Sequence, residues 1–198
     1  MPAIETTPVL SGTHIRLRPM TVSDVPRLFA QFSDPKVMRY WSRTPLMRME
    51  DARELFEEID RGVRAGQFLQ WTIAMCSDDL MIGSCALFAQ NAAHHRAEIG
   101  FALSSAHWGH GYAQEAVRLA LDHAFGTLEL HRIEADVDPH NAASLRLLER
   151  LGFVREGLLR ERWHVGGEIQ DSAIYALLAR DYAAASTKAV SATPTAGA

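Results

Sequence analysis

The sequence predicts an α+β layered domain: one mixed, mostly antiparallel sheet of six to seven strands flanked by about four helices. Three observations carry this. Short runs of alternating apolar and polar residues, separated by tight turns, crowd the stretch from Phe68 to Ser104. Strand–helix–strand order follows from Arg96 to Asp138, and a helix between two strands links parallel neighbours. The 198 residues are 47% hydrophobic and 22% charged, which suits one core and excludes disordered, collagen-like and coiled-coil chains.

Each element has its own signal. His14 to Arg18 alternates like a half-buried strand, which Pro19 closes. Thr21 and Asp24 stand at capping-box spacing before a helix with Val25, Leu28, Phe29 and Phe32 on one face. Ser33-Asp34-Pro35 stops it. A second amphipathic helix spans about Met49 to Val63, its other face a solvated run of charges. Phe68–Cys76 and Leu80–Ala89 form a hairpin around Ser77-Asp78-Asp79, and Arg96–Ser104 is the next strand. Gly111–Thr127 is helical, Arg132–Asp138 a strand, and Ala142–Leu151 a helix ended by Gly152. Val154–Ala179 is a strand pair turning at Gly166-Gly167. Residues 1–12 read as a flexible leader, 13–182 as the folded domain, and 183–198, rich in Ala, Ser and Thr, as a disordered tail.

Composition also bounds function. No apolar run approaches the roughly 20 residues of a membrane span, and Met1–Thr7 lacks the basic and apolar regions of a secretory signal, so a cytoplasmic location is expected. The net charge of -4 disfavours nucleic-acid and anionic-membrane partners and is compatible with a cationic substrate. Cys76 and Cys85 are expected to be buried, reduced thiols. The histidines lack metal-ligand spacing, so no metal is expected.

Trp108-Gly109-His110-Gly111-Tyr112-Ala113 lies between a strand and a helix. Glycines there let the backbone turn tightly and approach a ligand, and N–H groups at a helix start favour a phosphate. The alternative is a tight turn and nothing more. No Walker loop occurs, and a dinucleotide fingerprint needs a glycine where Gln114 stands.

Together with Ala97-Glu98-Ile99-Gly100-Phe101-Ala102-Leu103 and Asn141–Phe153, this segment resembles the GNAT superfamily of acetyltransferases, in particular its ribosomal-protein N-terminal acetyltransferase branch. The resemblance runs from about Ile15 to Tyr182. It implies an acetyl-CoA-dependent N-acetyltransferase acting by direct attack of an amine in a ternary complex, with a protein N-terminal α-amine first among acceptors and small amines behind it. Two parallel strands would splay, exposing backbone groups to the pantetheine arm, bonded by Phe101, Ala102 and Leu103. The amides of Trp108, Gly109, His110, Gly111, Tyr112 and Ala113 would hold the pyrophosphate, and Asn141 would cap a helix or bond the arm. The acceptor pocket is expected between the first two helices and the loops near Tyr40-Trp41, Gln90–His95 and Trp163–Gly167.

Acetyl transfer needs a neutral amine, so Glu98, beside the expected thioester, is the candidate base, acting directly or through water. The family's usual tyrosine acid is replaced by Leu148, and Ser144 is the remaining candidate acid. A non-catalytic acyl-CoA sensor and a dinucleotide-dependent oxidoreductase are the competing classes. A homodimer is compatible with the sequence.

Overall fold

In the computed structural model, which describes residues 7–191, eight strands form one sheet in the order β1-β2-β3-β4-β5-β6-β8-β7. They are β1 (Leu10–Ser11), β2 (Ile15–Pro19), β3 (Leu69–Met75), β4 (Met81–Asn91), β5 (Arg96–Leu103), β6 (Arg132–Val137), β7 (Val154–Val165) and β8 (Glu168–Leu178). The helices are α1 (Val25–Ser33), α2 (Pro35–Met38), α3 (Met49–Arg64), α4 (Tyr112–Asp122), α5 (Ala142–Arg150) and α6 (Ala179–Ser191). Every neighbouring strand pair is antiparallel except β5 and β6. The expected class therefore holds, with more strands and helices than the sequence suggested.

The additions lie at the ends and in one short turn. β1 pairs Leu10 with Leu17, and the buried Trp71 donates its indole N–H to the Pro8 carbonyl at 2.8 Å. A buried indole needs an acceptor, so residues 7–12 are drawn onto the sheet instead of forming a flexible leader. α6 carries helix nine residues into the expected tail, where alanine, the strongest helix former, dominates. The rest of the expected leader and tail, residues 1–6 and 192–198, lies outside the described residues. The helix expected over Gly111–Thr127 begins at Tyr112 and ends in a π turn, His123–Thr127. Cys85 is buried, and desolvation pushes its thiol up to about 12, whereas Cys76 is exposed, against expectation.

Alternation along the strands puts a hydrophobic cluster on each side of the sheet. Leu69, Trp71 and Ile73 of β3 pack with Ala116, Val117, Ala120 and Leu121 of α4. On the other side, Val25, Leu28 and Phe32 of α1 pack with Ala52 of α3, over Met81. The entry to α1 is pinned electrostatically. Arg18 grips Asp24 through both carboxylate oxygens at 2.7 and 2.8 Å, and the Thr21 N–H donates to Asp24 at 2.9 Å, the expected capping contact. Burial alone would raise the Asp24 carboxyl, but the Arg18 guanidinium and the Thr21 N–H hold it below the ordinary carboxylate value.

β5 and β6 pair over only Arg96↔Arg132, Ala97↔Ile133 and Glu98↔Glu134. Beyond them β5 stays with β4 as far as Leu103, and β6 stays with β8 as far as Val137, so the two parallel strands part. An ion-pair chain clasps the joined end: Arg96 to Glu134 at 2.9 Å, Arg132 to Glu134 at 2.7 Å, and Arg132 to Glu156.

Asp24→Ala is expected to lower stability by about 2 kcal/mol, because Arg18 keeps only its exposed partner Asp79 at 2.8 Å and loses both charge-assisted bonds to Asp24. The urea midpoint at neutral pH measures this. The loss should shrink as pH falls through the Asp24 value, since protonation removes the same interaction from the parent protein.

Candidate active site

The phase of β5 decides which backbone groups face the opening. The Ser104 N–H donates to the Ile82 carbonyl at 2.8 Å, so in an antiparallel ladder Ser104, Ala102 and Gly100 turn their backbones to β4. Phe101 and Leu103 turn theirs to the gap beside β6. Ala102, expected among the gap-facing residues, therefore does not belong there, and an added Cβ at Gly83 of β4 would meet its carbonyl oxygen at 2.4 Å. The Leu103 carbonyl already accepts the Trp108 indole N–H at 2.8 Å, which leaves its N–H and both groups of Phe101 for a ligand.

The loop behind the gap is built by two glycines. Gly109 and Gly111 adopt φ of 82° and 83°, a region that L side chains rarely enter, and the space above both is open. Gly111 is the residue before α4, so the first N–H groups of that helix lie beside the loop. On the far wall, the Asn141 side chain accepts the Ser144 N–H at 3.1 Å and so caps α5. Between these elements lies a cavity of about 490 Å³, lined by Phe101, Ala102, Leu103, Trp108, Gly109, Gly111, Tyr112, Ala113, Asn141 and Ser144. Lys36, Arg146 and Arg150 add positive charge, and His107, whose buried Nδ1 lacks a partner, also faces it. Unpaired strand amides, a glycine loop at a helix start and three cations fit a CoA thioester with its pyrophosphate. His110 is the exception among the expected residues. Its ring stacks on Tyr112 with centroids 5.5 Å apart, and it does not line the cavity.

A second cavity, of about 430 Å³, shares Tyr40, Trp41, Phe101, Asn141 and Ser144 with the first. One end is acidic: Glu98 of β5, Asp136 and Asp138 at the end of β6, and Asp171 of β8. Most of these carboxylates are already engaged. Asp136 accepts from Ser172 and Trp163, Asp138 from the His140 N–H, and Asp171 from the Glu161 N–H. None of the described residues donates a hydrogen bond to Glu98. Burial, with the nearby charges of Asp136 and Glu134, pushes the Glu98 carboxyl above its ordinary value against the pull of Arg162 and Arg96.

Of the two candidate reacting groups expected from the sequence, Glu98 lines the second cavity and Ser144 lines both. Leu148, at the position of the family tyrosine, is fully buried in the core. Of the residues expected around an acceptor, Tyr40, Trp41 and Trp163 line the second cavity, and the Gln90–His95 and Gly166-Gly167 loops do not. Strand residues Gln70, Ser84, Ala86 and Phe88 take their place. Missed altogether were Arg146 and Arg150, although Ala143, Arg146, Leu147 and Arg150 recur at helical spacing on one wall. No group of residues suited to a metal occurs among the described residues, and none of their helices is long and apolar enough to cross a membrane.

Known proteins share this arrangement. Residues 14–154 match the acetyltransferase (GNAT) domain family. The chain is 38% identical over 169 residues to the uncharacterized N-acetyltransferase p20 of Bacillus licheniformis, covering 85% of this chain and 95% of that one. A spermidine N-acetyltransferase from Vibrio cholerae, solved with CoA and spermine, superposes with a TM-score of 0.77 at 26% identity, covering 87% of this chain and 99% of that one. Mycobacterium smegmatis RimJ, solved with CoA-disulfide, shares the fold with a TM-score of 0.79 at 24% identity, covering 91% of this chain and 95% of that one. The splayed strands, the glycine loop and these matches agree: the chain belongs to the GNAT family and is an N-acetyltransferase.

Proposed function

We propose that the protein transfers an acetyl group from acetyl-CoA to a primary amine, first of all the α-amine of a chain terminus, in the cytoplasm and without a metal. The observation that carries this reading is the junction of the two cavities at Phe101, Asn141 and Ser144, with a half-buried carboxylate lacking a donor on the acidic side. Bound acetyl-CoA supplies the activated acetyl group: its C–S bond breaks as the amine N–C bond forms, and the departing thiolate takes up a proton. Phe101 and the Leu103 N–H bond the pantetheine arm, and the Trp108–Ala113 backbone with Arg146 and Arg150 holds the phosphates.

An amine reaches the acidic cavity as a cation, drawn by its carboxylates. Glu98 accepts the proton, directly or through one water. Its raised carboxyl narrows the gap to any amine, and the gap that remains is smaller for an α-amine, near 8, than for a lysine-type amine, near 10.4, which favours the α-amine. Ser144 stands where it can donate to the thiolate. A thiol with a pKa of about 8.5 also leaves without help, so that contribution is small.

Titration calorimetry tests the cofactor reading. Acetyl-CoA should bind in the micromolar range and NADH should not, while silence at millimolar acetyl-CoA overturns it. Glu98→Gln should keep that affinity and lower kcat about 10²- to 10⁴-fold, whereas Ser144→Ala should cost about tenfold or less. A Glu98→Gln protein that binds acetyl-CoA and turns over like the parent would show that Glu98 is not the base, and a parent with no turnover at all would favour the sensor.

The same substitution has a stability signature with a defined sign. A carboxyl raised in the folded state stabilises fully below its unfolded value and loses that contribution as pH rises through the folded value. Glu98→Gln should therefore melt above the parent at pH 8, and the difference should vanish in acid.

A further inference from the structure

The second cavity has two chemically different ends. Strands β5, β6 and β8 supply its carboxylates. The opposite end lies towards α1 and α3, with Leu28, Phe32, Leu55 and Phe68 in its lining and Ala86 on its floor. The register sets its length. Glu98 stands opposite Phe88 and Ala102 opposite Ser84, so the cavity floor between Glu98 and Ser84 runs four residues, roughly 13 Å at the rise of a strand. Gly100 lets the Phe88 ring lie against the strand, because a Cβ there would meet that ring at 3.1 Å.

The polar groups at this far end are neutral. Ser84 lines the cavity and accepts a hydrogen bond from the buried Gln31 amide at 3.0 Å, and Gln31 Oε1 is left without a partner. The charged side chain that lines the cavity beside Phe32 is positive: the Arg43 guanidinium sits 6.0 Å over the Phe32 ring. A second ammonium placed there would lose its water, gain no carboxylate and face Arg43. A bulky apolar group placed there would bury its surface against Leu28, Phe32 and Phe68.

Resting on the transferase reading above, we infer that the acceptor is a monoamine whose amine-bearing carbon chain ends in a large apolar group of aromatic size. The ammonium lies among the carboxylates beside Glu98, and the apolar group fills the space beneath α1 and α3. Polyamines are disfavoured as acceptors, although a relative of the same fold was solved with spermine.

Initial rates of thiol release, measured on the full chain at saturating acetyl-CoA, test this with four acceptors. They are 2-phenylethylamine, a short peptide beginning with Phe, the same peptide beginning with Ala, and spermidine. The better of the two aromatic acceptors should exceed both the Ala peptide and spermidine in kcat/KM by about tenfold or more, since each methylene in an apolar pocket discriminates on the order of tenfold. Preference for the Phe peptide identifies a chain terminus as the source, and preference for phenylethylamine a free amine. Ala86→Phe, which fills the apolar floor away from the acetyl-CoA cavity, should reverse the order of the Phe and Ala peptides while leaving the acetyl-CoA Kd unchanged. Spermidine or the Ala peptide matching the aromatic acceptors overturns the inference and leaves the transferase intact. No turnover with any amine, despite bound acetyl-CoA, overturns both. If Ala86→Phe fails to fold, the four wild-type rates decide alone.

Discussion

The parting of β5 from β6 is the constraint on which the rest of the site depends. A parallel pair that stayed together would use every backbone group on its facing edges, and the sheet would hold no ligand. Here Glu98↔Glu134 is the last pair. The split is maintained from both flanks, because β4 holds β5 through Leu103 and β8 holds β6 through Val137. The Arg96–Glu134–Arg132–Glu156 chain clasps the closed end. Such half-exposed ion pairs add little stability singly. Their geometric effect is larger, since they fix where pairing stops and hence which amides remain free.

The same split places chemistry at its fork. Glu98 is the last joined residue of β5, so its side chain stands where the gap opens, near Asp136 and among apolar walls. Burial and like charge make its ionised form costly to the fold and raise its proton affinity. A carboxylate in the exposed loops would lack that property. Stability and ionisation are thus opposed at Glu98, as they would be at the base proposed above.

Much of this was legible before any coordinates, and the reasons are particular. Gly109 and Gly111 announced a tight turn, and the structure gives them φ near 80°, which few other residues tolerate. Thr21 and Asp24 announced a cap because their spacing serves one turn of chain. Local rules have local signatures. What stayed hidden was long-range or a matter of phase. Trp71 reaching Pro8 ties residues 63 positions apart, and nothing near Pro8 signals that bond. Ala102 was misassigned because sequence shows that strand residues alternate but not which of them face the gap; the Ser104–Ile82 bond settles that. Asp136, Asp138 and Asp171 come from different parts of the chain and acquire a shared meaning only where β6 and β8 lie side by side.

This difference also explains why family and acceptor are unequally readable. The side proposed to bind acetyl-CoA is assembled mainly from backbone groups and turn glycines, which leave a short, ordered trace in the sequence. The second cavity, proposed above to take the acceptor, is lined by side chains of α1, α3, β4, β6 and β8, each free to change without altering the fold. Relatives with this scaffold can therefore share the transfer chemistry and differ in what they acetylate. The decisive feature in this chain is the sign of charge along the acceptor cavity. Carboxylates stand at the Glu98 end, whereas neutral and apolar groups under Arg43 stand at the other. For the monoamine inferred above, one ammonium would be attracted, a second would be opposed, and the uncharged remainder would gain its binding energy from apolar contact.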